Sequence, residues 1–107
     1  MEPLLVLTNL PDAASAEKLA EALIESRAAA CVNILAACRS KYRWQGKVET
    51  AEEIPLLIKT TTACYPLVEK IVRAQHPYAV PELIATLITH GLPAYLEWLA
   101  TETEKHE

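Results

Sequence analysis

The alternation of apolar and polar positions changes period several times along this chain, and each change marks an element. Leu4-Leu5-Val6-Leu7 is a continuous apolar run. It predicts a buried strand over Pro3 to Asn9, ended by Leu10-Pro11-Asp12. The period then becomes helical. Ala16, Leu19, Ala20, Leu23 and Ile24 recur on one face, and Glu17, Lys18, Glu21 and Glu25 on the other. Asp12 or Ser15 is placed to cap this helix, which is expected to run to about Ala28. Strand character returns at Cys31 to Leu35 and again from Arg39 to Gln45, with Ala36-Ala37-Cys38 as a bulge or bend between them. Gln45-Gly46 is a two-residue hairpin signal, and the returning strand runs from Lys47 to about Thr60. Pro55 lies within it. Because proline has no N–H for a ladder bond, it is expected at an edge or a bulge.

A second helix is predicted from Thr61 or Thr62, with Pro66 in its first turn and Leu67, Val68, Ile71 and Val72 as its buried stripe. His76-Pro77 stops it, since the residue before a proline is pushed out of the helical region. A strand over Glu82 to Ile88, a turn at Gly91 and a helix from Pro93 through Leu99 complete the chain. The order β-α-β-β-α-β with an added C-terminal helix is the ferredoxin-like α+β arrangement, one antiparallel sheet with helices on one face. Residues 1–107 are read as one domain.

Composition narrows the function classes. The chain is 51 % hydrophobic and 22 % charged, in the range of a globular protein. A formal charge of −4 has the wrong sign for a phosphate-driven nucleic-acid binder. The acidic run from Glu102 to Glu107 is expected to fray. No stretch is apolar for long enough to span a membrane, and Glu2-Pro3 interrupts any leader-like start. Cys31, Cys38 and Cys64 form no short pair, which suits reduced thiols in the cytoplasm. Cys31, in an apolar run, is expected to be a small buried hydrophobe, and Cys38 to be exposed.

The chemistry concentrates in Gln75-His76-Pro77-Tyr78-Ala79-Val80-Pro81-Glu82, where two prolines bracket an imidazole and a phenol and a carboxylate follows. His76 and Glu82 are the candidate metal ligands, six residues apart around a rigid turn. Lys59, the one cation late in a mostly apolar strand, is a candidate to line an anion or small-ligand pocket with Tyr78. Tyr42 and Trp44 alternate on one strand face and are candidate interface anchors. No nucleophile–base pair or phosphate loop points to an enzyme.

An ordered set of motifs carries a resemblance. It comprises Pro11-Asp12, Ala29-Ala30-Cys31-Val32-Asn33-Ile34, Tyr42-Arg43-Trp44-Gln45-Gly46-Lys47-Val48 and Leu57-Ile58-Lys59-Thr60-Thr61. It continues with His76-Pro77-Tyr78, Val80-Pro81-Glu82 and Gly91-Leu92-Pro93-Ala94-Tyr95-Leu96-Glu97-Trp98. Over about Leu5 to Trp98 the chain resembles the CutA family of divalent-ion tolerance proteins. The resemblance implies a ferredoxin-like fold, a homotrimer and a part in tolerance of copper and other divalent cations. It also implies a metal site at positions that map here to Thr8, to Gln75 with His76, and to Glu82. Thr8 stands where the family's pattern has a cysteine, and Gln75 where it has a second histidine, so a copper site here is expected to be weak. The alternative is a PII-like signalling trimer that binds a small anion or metabolite in clefts between subunits.

Overall fold

The computed structural model describes residues 2–103. Eight elements follow in the expected order: β1 (Pro3–Leu10), α1 (Ala13–Glu25), β2 (Cys31–Ile34), β3 (Cys38–Trp44), β4 (Lys47–Thr61), α2 (Tyr65–Gln75), β5 (Leu83–Leu87) and α3 (Pro93–Glu102). The sheet order is β2-β4-β1-β5, with β3 pairing the outer half of β4, and every pairing is antiparallel. Taking β2 and β3 as one interrupted strand gives the ferredoxin-like order.

Strict alternation along β1 decides which face is core. Leu4, Val6, Thr8 and Leu10 are buried, while Leu5, Leu7 and Asn9 are partly open. On β4, Leu56, Ile58 and Thr60 share the buried face. Against them pack Ala16, Leu19 and Leu23 of α1 and Val68 and Val72 of α2. Both helices lie on one face, while α3 touches β1 and β4 separately from this core and Ile84 and Leu87 of β5 remain exposed. Thr60 is buried with its hydroxyl donating to the Ala28 carbonyl at 2.6 Å, which satisfies a polar pair inside the core.

Pro55 lies in an interior strand, not at an edge. Its carbonyl accepts from Leu35 N–H at 3.0 Å, so its ring nitrogen faces the same way. On that side β2 ends at Ile34, opposite Leu56, and β3 begins at Cys38, opposite Glu53. The missing N–H therefore meets the break at 35–37, the bend expected from Ala36-Ala37, and no ladder bond is lost. At the hairpin tip Gln45 and Gly46 take φ of 50° and 81°, the left-handed pair required by a type I′ turn.

Three boundaries differ from expectation. Helix α1 ends at Glu25 rather than near Ala28, because Arg27 takes a left-handed φ of 62°. The Arg27 guanidinium donates to the Thr101 carbonyl at 2.9 Å and lies 3.9 Å from Glu102, which ties this corner to α3. Ile24, at 42 % exposure, falls outside the buried stripe. At α2 the capping position is Cys64, not a threonine. Thr61 remains in β4, and its hydroxyl accepts from Cys64 N–H at 3.2 Å. Glu102 is helical and Thr103 buried, so the acidic run is ordered that far; residues 104–107 lie outside the described range. Asp12 does cap α1, accepting from Ser15 N–H at 2.8 Å. No helix among the described residues is long and apolar enough to cross a membrane.

Ile58 is fully buried, whereas Ile84, on the opposite face of the sheet, is 56 % exposed. Ile58→Ala is expected to cost about 2–5 kcal/mol through lost burial and a cavity, and Ile84→Ala far less in the isolated chain. Urea unfolding of the two variants under matched conditions makes the comparison.

Candidate functional site: the proline-bracketed turn and its cleft

The turn after α2 is held by two side chains from within it and two from β1. His76 is buried, and both of its ring nitrogens are engaged. Tyr78 N–H donates to Nδ1 at 3.1 Å, so that nitrogen is the unprotonated acceptor. Nε2 must then carry the proton and donate to the Asn9 carbonyl, 2.6 Å away. Thr8, fully buried, donates its hydroxyl to the Glu82 carbonyl at 2.6 Å. Asn9 Nδ2 donates to Glu82 Oε1 at 3.0 Å. Of the positions mapped to the family's metal site, Thr8 bonds the Glu82 carbonyl and His76 the carbonyl of the adjacent Asn9, while Gln75 takes no part in this network.

The donor set can be tested against a soft or borderline divalent ion. Such an ion needs a free imidazole lone pair, and the Nδ1 lone pair of His76 is spent on a main-chain N–H. Thr8 offers a hydroxyl already committed to a carbonyl in place of a thiolate. Gln75 is exposed at the end of α2. Among the described residues no three His, Cys, Asp or Glu side chains converge on one point. The residues present do not fit a copper site as the structure stands.

Between this turn and the β3–β4 hairpin lies a cleft of about 850 Å³. Its walls include Tyr42 and Trp44 from β3, Glu53 from β4, and Tyr78 and Glu82 from the turn. Register places Tyr42 opposite Glu49 and Trp44 opposite Lys47, on the same hairpin face as Glu53. Glu53 is only 7 % exposed, and its Oε2 accepts from the Tyr78 hydroxyl at 3.1 Å. Burial, with the adjacent Glu53 carboxylate, pushes the Tyr78 phenol up to about 12. The His76 and Tyr78 rings are 4.9 Å apart, so the turn packs on itself as well.

Tyr42, Trp44, Tyr78 and Glu82 share this cleft, but Lys59 does not line it. Six residues separate Lys59 from Glu53 along β4, on the order of 20 Å at the usual rise per residue. Lys59 instead bonds Asn33 Oδ1 and lies 3.9 Å from Cys31 Sγ, on the sheet face opposite α1 and α2. Within one chain it is therefore not a partner of Tyr78, because the pairing of β4 with β2 carries it to the other end of the sheet. Cys31 is half-buried there rather than enclosed in the core, and Cys38 is likewise half-buried, 3.8 Å from Ser40 Oγ. Cys64 is the enclosed thiol, donating to the Thr103 carbonyl at 2.9 Å. Sequence reading missed Glu53. It sits in an acidic stretch, and nothing local to it signals that Tyr78 will cover it.

Comparison with known proteins agrees with this architecture. A family model described as CutA1 divalent ion tolerance protein matches residues 4–102. The chain belongs to the CutA1 family. It is 47 % identical over 98 residues to the divalent-cation tolerance protein CutA of Thermus thermophilus, spanning 92 % of this chain and 95 % of that one. It superposes on CutA1 of Oryza sativa with a TM-score of 0.95 at 38 % identity, covering 99 % of this chain and 97 % of that one. It also matches a structure described as the periplasmic divalent cation tolerance protein CutA of Archaeoglobus fulgidus. That match has a TM-score of 0.92 at 33 % identity and covers 95 % and 99 % of the two chains. CutA proteins with the same fold are thus described from a bacterium, a plant and an archaeon.

Tyr78 gives a pH test with a definite sign. Its folded-state value lies above the ordinary tyrosine value of 10, so its contribution to stability is complete below pH 10 and is lost as pH rises through about 12. Absorbance of tyrosinate, wild type minus Tyr78→Phe, is expected to show one step near pH 12, and a step near 10 would contradict the Glu53 contact.

Proposed function

We propose that this chain acts in the response to divalent metal ions as a non-enzymatic, cytoplasmic homotrimer, and that it does so by binding a ligand in the cleft between turn and hairpin. The observation that carries the reading is the contrast at the turn: both nitrogens of His76 are occupied, while the cleft beside it stands open. Divalent-cation tolerance is the role named for the relatives, none of which is named as an enzyme.

Three features support self-association. On β5, Ile84 and Leu87 are 56 % and 51 % exposed, large apolar side chains that a second copy can cover. The strand β3 has a free edge, which a second copy can cover. Tyr42 and Trp44 stand 43 % and 48 % exposed on the hairpin, where aromatic anchors of an interface belong. Closure of three copies around the hairpins would place each cleft beside a subunit boundary, a common position for ligand sites.

His76 and Glu82, the metal candidates, are assigned here to holding the turn. Copper(II) affinity is accordingly expected to be weak, and His76→Ala to lower the unfolding midpoint more than it lowers that affinity. Calorimetry on tag-free protein, paired with thermal unfolding, reads both. Sub-nanomolar copper binding that disappears in His76→Ala would restore the metal reading. Native mass spectrometry of the same tag-free protein is expected to give the mass of three copies, shifting toward one copy in Trp44→Ala. A monomeric wild type at micromolar concentration would overturn the assembly.

A further inference from the structure

The cleft has a charge and a surface chemistry of its own, and together they select a ligand class. Glu53 is more than nine-tenths buried, yet no cation pairs with it among the described residues. One oxygen, Oε2, accepts from Tyr78; since no buried side-chain oxygen among the described residues lacks a partner, Oε1 is open to solvent, and Glu53 lines the cleft. A carboxylate that is mostly enclosed, with one oxygen still open, is a ready acceptor for a cationic N–H donor. Glu82 lines the same cleft, and Glu49 shares the hairpin face. The charges acting on the Tyr78 phenol are those of Glu53 and Asp12, both acidic, with Tyr42 beside them.

One basic residue, Lys41, borders the cleft, but its ammonium is engaged on the other face of the hairpin. Arg39, Lys41 and Arg43 alternate with Ser40, Tyr42 and Trp44, so they project from the opposite face of the hairpin. Lys41 reaches Thr50 on that face, its Nζ donating at 3.2 Å. Lys59 lies at the far end of the sheet beside Asn33. Lys47, opposite Trp44 at the hairpin tip, does not line the cleft. With the Lys41 ammonium held by Thr50, the cleft wall presents three aromatic rings, Tyr42, Trp44 and Tyr78, and two carboxylates. Ring faces attract cations through their quadrupoles, and a carboxylate oxygen completes the contact by accepting an N–H bond. An anion would meet two like charges and no donor from Lys59.

We propose that the cleft binds a small organic cation, an ammonium or guanidinium group, with its N–H on Glu53 Oε1 and its charge over the rings of Tyr42, Trp44 and Tyr78. The inference rests on the cleft reading above and replaces the small anion of the sequence-based alternative with a cation. The volume of about 850 Å³ accommodates a compact amine within the range of ordinary ligand pockets.

The test uses the full chain with Trp98→Phe, which leaves Trp44 as the sole tryptophan. Agmatine and putrescine are titrated against Trp44 emission, with glutarate as an anion of similar length. A saturable change with agmatine and none with glutarate is expected. Glu53→Gln, nearly the same shape and still able to accept from Tyr78, is expected to weaken agmatine binding about tenfold or more. Tyr42→Leu, on an exposed strand, supplies a second loss independent of the buried carboxylate. Affinity unchanged in Glu53→Gln, or glutarate binding as well as agmatine, overturns the proposal. So does a cleft that responds to agmatine only after Arg39→Glu with Arg43→Glu, which would mean that a second copy's arginines fill it. The native mass of each sample separates the two readings: a trimer blind to agmatine sinks the cation alone, and a monomer that binds it sinks the trimer alone.

Discussion

One imidazole holds the functional end of this molecule together. His76 takes a proton-bearing bond to β1 on one side and a main-chain N–H of its own turn on the other. The turn is thereby fastened to the sheet at a point where the backbone, interrupted by Pro77, cannot bond as helix or as ladder. Everything in the cleft depends on that fastening. It sets where Tyr78 stands, Tyr78 covers Glu53, and the Tyr78–Glu53 bond fixes the distance between turn and hairpin. Thr8 and Asn9 reinforce it from the end of β1, reaching Glu82 by main chain and side chain respectively. A residue of a type suited to binding metal has become a structural crosspiece, because its lone pair is worth more to a buried backbone group than to solvent.

Much of the fold was legible in the sequence, for local reasons. Apolar runs and helical periodicity placed all eight elements to within a few residues, and Gln45-Gly46 and His76-Pro77 marked their turn and stop by backbone chemistry alone. The misses have a common cause. Arg27 adopts a conformation that a glycine would have advertised, and it is compensated by contacts with α3 some seventy residues later. Thr61 fell inside a strand rather than at a cap because pairing with Pro3 extended β4. Long-range pairing overrode local preference in both places.

The site was legible in part. The turn and the aromatic pair stood out by residue type, and the structure brings Tyr42, Trp44, Tyr78 and Glu82 to one cleft. Its electrostatics did not stand out. Whether a carboxylate is buried, or a lysine points into a pocket, depends on register across the sheet. Lys59 was placed beside Tyr78 by proximity to a strand end, and register with Cys31 and Leu5 puts it elsewhere. Glu53, the decisive charge, sits among Glu49, Glu52 and Ala51 with nothing to distinguish it until β3 and the turn close over it.

The break beside Pro55 has a mechanical meaning. Between Ile34 and Cys38 regular pairing with β4 lapses, leaving the Leu35 N–H bond to Pro55, so β4 is the one unbroken strand that joins the hairpin to the body. A beam with one rail bends more easily at that section than on either side. Because the section falls two residues from Glu53, flexure there converts directly into the width of the cleft mouth. The Tyr78–Glu53 bond spans that joint as a tie between the turn and the arm.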